Sequence, residues 1–199
     1  MKSLAVLISN AGTGSNLQAI IDAINNKKIS AKISVVISSD EDAYGLIKAR
    51  ENKIFTEITT RKNLLKTLNK YEINYICLAG WKLIIDGEVI SRYKNKVLNL
   101  HPGLIPDKID GEVKNPDGTI AIWNRGKLTG VAIDNFLNNN ATYAGSSIHF
   151  LSSEFDFGKV LARTFEKIKK NDDVESLYKR LKDKENKMYV NVLKKLCKL

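Results

Sequence analysis

The stretch Leu4-Ala5-Val6-Leu7-Ile8-Ser9, followed by Gly12-Thr13-Gly14-Ser15 and then by residues 16–25, decides the fold. Its first five residues are apolar without a break, as in a strand buried on both faces. The two glycines mark a turn. Within residues 16–25, Leu17, Ile20, Ile21 and Ile24 recur at i, i+3, i+4 and i+7, one face of a helix. Residues 33–38 supply a second apolar strand. A strand, a glycine turn, a helix and a strand open a parallel sheet built by right-handed crossovers.

The unit repeats along the first half. Helical patterns fall at residues 43–51, 63–70 and 86–93, and short apolar strands at 54–58, 75–79 and 96–100. Residues 103–125 are rich in Gly, Asp, Asn and Lys and contain Pro106 and Pro116, so a long loop is expected there. A helix is expected at 132–138, and residues 142–152 and 159–168 alternate like antiparallel strands at a sheet edge. Residues 173–199 predict one long helix, with Leu177, Leu181, Met188, Val192 and Leu196 on a shared face. The fold expected is α/β: a Rossmann-like, mostly parallel sheet with helices on both faces, antiparallel edge strands and a long C-terminal helix. With no internal repeat and no linker, residues 1–199 read as a single domain.

Composition narrows the function. The chain has 199 residues, 43% hydrophobic, with only 3 prolines, which excludes a disordered tail and a collagen-like repeat. A chain of this length buries about 70% of its unfolded surface and needs no covalent or metal staple. Two cysteines, Cys77 and Cys197, exclude a disulfide scaffold and fit a reducing cytosol. Nothing approaches the ~20 apolar residues of a membrane span. The apolar run after Met1-Lys2-Ser3 stops at Ser9-Asn10, a buried strand rather than a secretion signal. A cytoplasmic protein without membrane partners is therefore expected. Lys+Arg number 32 against 22 Asp+Glu, a net charge of +10. The lysines are interleaved with acids and form no aromatic-basic platform, so small anions rather than nucleic acid are the expected partners.

Three segments carry chemistry. Gly12-Thr13-Gly14-Ser15-Asn16 offers backbone N–H groups and a helix N-terminus to a phosphate, with Ser15 and Asn16 as caps or donors. The dinucleotide fingerprint is incomplete, because Leu17 stands at its third glycine, and no Gly-Lys-Ser/Thr of a P-loop follows. An ordinary tight turn fits the same residues. Asn99 and His101 share one face at the carboxyl end of a parallel strand, where ligands of open α/β sheets sit. An amide and an imidazolium aimed at one point can hold a developing oxyanion. Ser147 and His149 share a strand face, and the loop beyond carries Glu154 and Asp156. A carboxylate beside His101 predicts a raised imidazole pKa. No His/Cys spacing resembles a metal-ligand set, so no metal is expected.

Taken together, these residues resemble the folate-dependent formyltransferases, and among them those acting on glycinamide ribonucleotide (5'-phosphoribosylglycinamide) in purine biosynthesis. The resemblance rests on Leu7-Ile8-Ser9 with Gly14-Ser15-Asn16-Leu17-Gln18-Ala19-Ile20, on Leu78-Ala79-Gly80-Trp81, and on Asn99-Leu100-His101-Pro102. It resumes in Ser146-Ser147-Ile148-His149-Phe150 and Phe155-Asp156, and ends in Glu185 with Tyr189. It implies that Asn99, His101 and Asp156 are the catalytic trio. It implies that Gly14, Ser15 and Asn16 take the substrate phosphate, and that Gly80, Pro102 and Glu185 line the phosphoribosylglycinamide pocket. Lys82, Leu83, Ile84, Ile85, Asn99, Leu151 and Ser152 match the folate pocket, and Arg61 matches an arginine facing the folate tail. The cosubstrate implied is 10-formyltetrahydrofolate, with small-molecule partners only, no metal, and a monomer or homodimer.

The chain also departs from the family pattern. Its phosphate loop is longer by two residues, Asn10 and Ala11. Leu83 stands where relatives often carry arginine, Phe157-Gly158-Lys159 replaces Gly-Gly-Pro, and residues 107–131 are longer than the family stretch and unlike it. Other readings are a formyltransferase for an amino sugar on a nucleotide, a formyltetrahydrofolate hydrolase, and a basic nucleotide- or RNA-binding module. A strand opening at Leu4 leaves no room for the regulatory domain expected of the hydrolase. A transferase acting on methionyl-tRNA would be expected to carry a second, C-terminal domain.

Overall fold

The computed structural model describes residues 1–10 and 12–198. In chain order the elements are β1 (Lys2–Ile8), α1 (Ser15–Asn25), β2 (Ala31–Ser38), α2 (Tyr44–Glu51), β3 (Thr56–Ile58) and a 3-10 turn (Arg61–Asn63). There follow α3 (Leu64–Leu68), β4 (Tyr75–Leu78), α4 (Gly87–Arg92), β5 (Val97–His101), α5 (Thr129–Asn138), β6 (Tyr143–Phe150), β7 (Val160–Lys167) and α6 (Val174–Leu196). The seven strands lie in the order β3-β2-β1-β4-β5-β6-β7. β1 pairs in parallel with β2 and β4, β2 with β3, and β4 with β5, whereas β6 and β7 are antiparallel. The expected α/β fold is the observed one. By its internal contacts the chain forms two compact units, Met1–Asn99 with Val190–Leu199, and Leu100–Tyr189.

In the first unit, β1 lies between β2 and β4, and Leu4 to Ile8 are all buried. That is why its sequence is an unbroken apolar run rather than an alternating one. α1 buries Leu17, Ile20, Ile21 and Ala23, and it begins at Gly14, whose left-handed backbone (φ 65) suits glycine. Neither Ser15 nor Asn16 serves as its cap, because the N-cap position is Gly14 and no side-chain bond closes that end.

The second unit has its own core of Leu104, Ile133, Phe136, Ala144, Leu177 and Leu181. α5 begins three residues earlier than the periodicity indicates. Leu128 and Val131 around its first turn are exposed, so the apolar face starts only at Ala132. The start of α6 is fixed by Asp173, whose carboxylate accepts the Ser176 N–H (2.8 Å) while the Ser176 hydroxyl accepts the Asp173 N–H (3.0 Å). This reciprocal capping box ends the preceding loop sharply. The 103–125 stretch is less irregular than its composition indicates. Leu104 donates to the Ile122 carbonyl, Ala121 donates to Val113, and Lys114 and Ile120 form an antiparallel bridge.

Candidate active site

His101 ends β5 and is 2% exposed. Its Nε2 lies 2.8 Å from the Trp123 carbonyl oxygen. A carbonyl only accepts, so Nε2 carries the proton and Nδ1 is the basic nitrogen of the neutral ring. Nδ1 faces the Asp156 carboxylate, with Oδ2 at 3.7 Å. Asp156 is itself held: Oδ2 accepts the Gly126 N–H at 2.8 Å, and its backbone oxygen accepts the Trp123 indole N–H at 3.2 Å. Its backbone adopts φ 50, a left-handed conformation that Asp tolerates better than most residues.

The electrostatics correct the sequence reading. Asp156 does pull the His101 pKa upward, and so does the Trp123 carbonyl, but burial outweighs both and the net shift is downward from 6.5. At 3.7 Å the carboxylate is beyond hydrogen-bond reach and does not offset the lost solvation of the cation. His101 is thus neutral at pH 7 in the free protein, with an acceptor at Nδ1 and an anion waiting for the charge that protonation would create.

His149 packs edge-on to His101, with ring centroids 6.5 Å apart at 88°. It is fully buried, and burial together with the repulsion of His101 pushes its pKa down to about 4. Ser147, two residues back on β6, is a brace: its hydroxyl donates to the Gly103 carbonyl (2.7 Å) and accepts the Ile105 N–H (2.9 Å). Gly103 approaches Trp123 so closely that an added Cβ would sit 1.7 Å from the Trp123 oxygen. Pro102 offers its carbonyl to Asn124 Nδ2 at 2.9 Å. Ser152 closes the loop after β6 on itself, donating to the Phe157 carbonyl (2.8 Å) and accepting the Glu154 N–H (3.2 Å), and half-buried Leu151 precedes it. Glu185, buried on α6, accepts the Ser146 hydroxyl at 2.5 Å, and burial raises its pKa.

The remaining candidates belong to the first unit. Gly14, Ser15 and Asn16 form the entry to α1, and the Asn16 Oδ1 is shut from solvent without a hydrogen-bond partner. Of the two extra residues of that loop, Asn10 donates its N–H to Asp40 (3.2 Å), and Ala11 lies outside the described residues. Gly80 has φ 93 and open space around it. Lys82 is anchored by its N–H to the Ser9 hydroxyl (3.1 Å); Leu83 and Ile84 are exposed, and Ile85 is buried. Arg61 is committed to Asp86, with Nε 2.6 Å from Oδ1. Asn99 lies half-buried on β5, two residues before His101.

Sequence reasoning missed Trp123, Asn124, Arg125 and Gly126. Two of their decisive groups are a backbone carbonyl and a backbone N–H, which leave no signature in residue type. Asn124 is buried with φ 59, donating to the Pro102 and Ala132 carbonyls and accepting from Asn135. A tryptophan beside Asn-Arg-Gly was the available signal. Among the described residues no group of three or more His, Cys, Asp or Glu is placed to hold a metal, and no helix is long and apolar enough to cross a membrane.

Comparison with known proteins gives one answer. Residues 2–193 match the family described as Formyl transferase. A phosphoribosylglycinamide formyltransferase of Haemophilus influenzae is 33% identical over 204 residues, covering 98% of this chain and 86% of that protein. A chloroplastic phosphoribosylglycinamide formyltransferase of Arabidopsis thaliana is 28% identical, and this chain spans 65% of its length. Among solved structures, glycinamide ribonucleotide transformylase 1 of Symbiobacterium toebii superposes with a TM-score of 0.81 at 27% identity, covering 98% of this chain and 86% of that one.

Proposed function

Because this chain belongs to the formyl transferase family, we propose that it moves the formyl group of 10-formyltetrahydrofolate to the amine of 5'-phosphoribosylglycinamide in purine biosynthesis. The observation that carries the reading is the approach of half-buried Asp156 to buried His101, with the ring tautomer set by the Trp123 carbonyl. The acceptor nitrogen attacks the formyl carbon, and the carbonyl electron pair moves to oxygen. Asn99 donates its amide N–H to that oxyanion. His101 Nδ1 takes the proton released by the attacking nitrogen, and Asp156 stabilises the imidazolium. As the oxyanion collapses, the C–N10 bond breaks toward N10, which receives the proton from His101. No covalent enzyme intermediate is needed.

Supporting features lie in each unit. The N-terminus of α1, with Gly14, Ser15 and Asn16, suits the ribonucleotide phosphate. Glu185, Pro102 and Gly80 are assigned to the same substrate. Exposed Leu83 and Ile84, with Lys82, Ile85, Leu151 and Ser152, are assigned to the folate, and the Arg61 guanidinium to its anionic tail. The proposed form is a single catalytic domain spanning 1–199, acting in the cytoplasm as a monomer or homodimer on small molecules alone.

The test is an absorbance assay of 10-formyltetrahydrofolate consumption with and without phosphoribosylglycinamide. Turnover that requires this acceptor is the expected result. Release without acceptor would identify a hydrolase, and absence of release would move the acceptor to another amine.

A further inference from the structure

We propose that residues Trp123 to Gly126 form a strap that positions both members of the catalytic pair, with the Trp123 and Arg125 side chains as positioning residues. The inference rests on the reading of His101 and Asp156 as catalytic. Three of these four consecutive residues make every contact involved. The Trp123 carbonyl fixes His101 Nε2–H (2.8 Å), and the Gly126 N–H holds Asp156 Oδ2 (2.8 Å). The Trp123 indole N–H holds the Asp156 carbonyl (3.2 Å), and Arg125 Nε donates to the Phe155 carbonyl (3.0 Å).

The strap is tied together by its own side chains. The Arg125 guanidinium lies 5.1 Å over the Trp123 ring, and that ring packs 5.8 Å from Phe157. Arg125 also faces Glu154 at 3.6 Å. Residues 154–157 are thus gripped on both sides of Asp156, whose left-handed backbone needs such support to persist. The pair's geometry depends on the grip: Asp156 approaches Nδ1 only to 3.7 Å, and an outward shift of about 1 Å would keep it from closing to hydrogen-bond distance on a forming imidazolium.

The strap lies within residues 107–131, the stretch whose sequence reading departs from the family pattern. The Trp123 indole and the Arg125 guanidinium act through Asp156 and its neighbours.

The experiment compares Trp123→Phe, Arg125→Gln and Arg125→Lys with the parent chain. It measures kcat and both KM values, and the amide proton shift of Gly126 by NMR. Trp123→Phe keeps an aromatic ring, though a smaller one, and removes the N–H, and Arg125 is a partly exposed side chain, so both variants are compatible with folding. Expected are kcat losses of roughly tenfold or more in Trp123→Phe and Arg125→Gln with KM values within about twofold. The Gly126 amide should move upfield as its charged acceptor withdraws, and Arg125→Lys should recover part of both signals. Unchanged kcat, an unmoved Gly126 amide, or a loss confined to KM would each overturn the strap. A His101→Asn variant assayed alongside separates the two claims, since full activity there would sink the catalytic reading itself.

Discussion

Burial keeps His101 unprotonated and Asp156 is near but not bonded, which is the arrangement the proposed general base requires. In the free protein the ring is neutral at pH 7, since burial has moved its pKa below 6.5. Protonation on the acid side consumes the Nδ1 acceptor, so the acid limb of kcat/KM should fall below pH 6.5. Asp156→Asn removes the anion that favours the cation, so the limb should move to still lower pH while kcat drops by about 10²- to 10⁴-fold. A pH-rate profile of both proteins checks this. A limb that moves upward in Asp156→Asn would show that the carboxylate does not set the charge of His101. His101 and Asp156 were legible in the sequence as residue types at telling places. The sign of the pKa shift was not, because burial of the ring is set by segments such as those of Trp123 and His149 that arrive from distant parts of the chain.

Among elements, those with strong periodicity were read closely and those shaped by tertiary contacts were not. β1 and α1 were visible because Leu4 to Ile8 and Leu17, Ile20 and Ile21 are buried for the reason their spacing indicates. The helix expected over 63–70 shrinks to a 3-10 turn and α3, since only Leu64, Thr67 and Leu68 are buried there. The stretch after β5 was the least legible. Its order comes from Gly103 against Trp123, Ser147 against Gly103, and Asn124 against Pro102, contacts that no local pattern encodes. Gly103 is the position on which that stretch turns. In Gly103→Ala the new methyl would overlap the Trp123 carbonyl, a backbone atom that a rotamer change does not move. The variant should lose about 3 kcal/mol of stability or more by denaturant titration, with kcat falling as the carbonyl leaves His101. A Gly103→Ala protein of parental stability and activity would refute that packing argument.

At the scale of the whole molecule, two buried groups act on the pH dependence of stability with opposite signs. His149 titrates near 4 in the fold against 6.5 in the unfolded chain. Between those values the unfolded chain binds the extra proton, so its contribution is complete above pH 6.5 and drains away as pH falls toward 4. The loss is about 3 kcal/mol over that window. Glu185 acts with the opposite sign: its raised pKa stabilises the fold below pH 4.5, and that contribution is lost as pH rises through the folded value. The net charge of +10 adds self-repulsion that grows as carboxylates protonate, so some acid weakening is expected whatever His149 does. His149→Gln separates the two causes. Its stability at neutral pH will differ from the parent because a buried ring is lost, so the informative quantity is the slope between pH 6.5 and 4. Denaturant titrations at half-unit steps should show the parent losing more than the variant across this window by about 3 kcal/mol. Parallel curves would assign acid lability to general charge repulsion and place the titration of His149 outside this range.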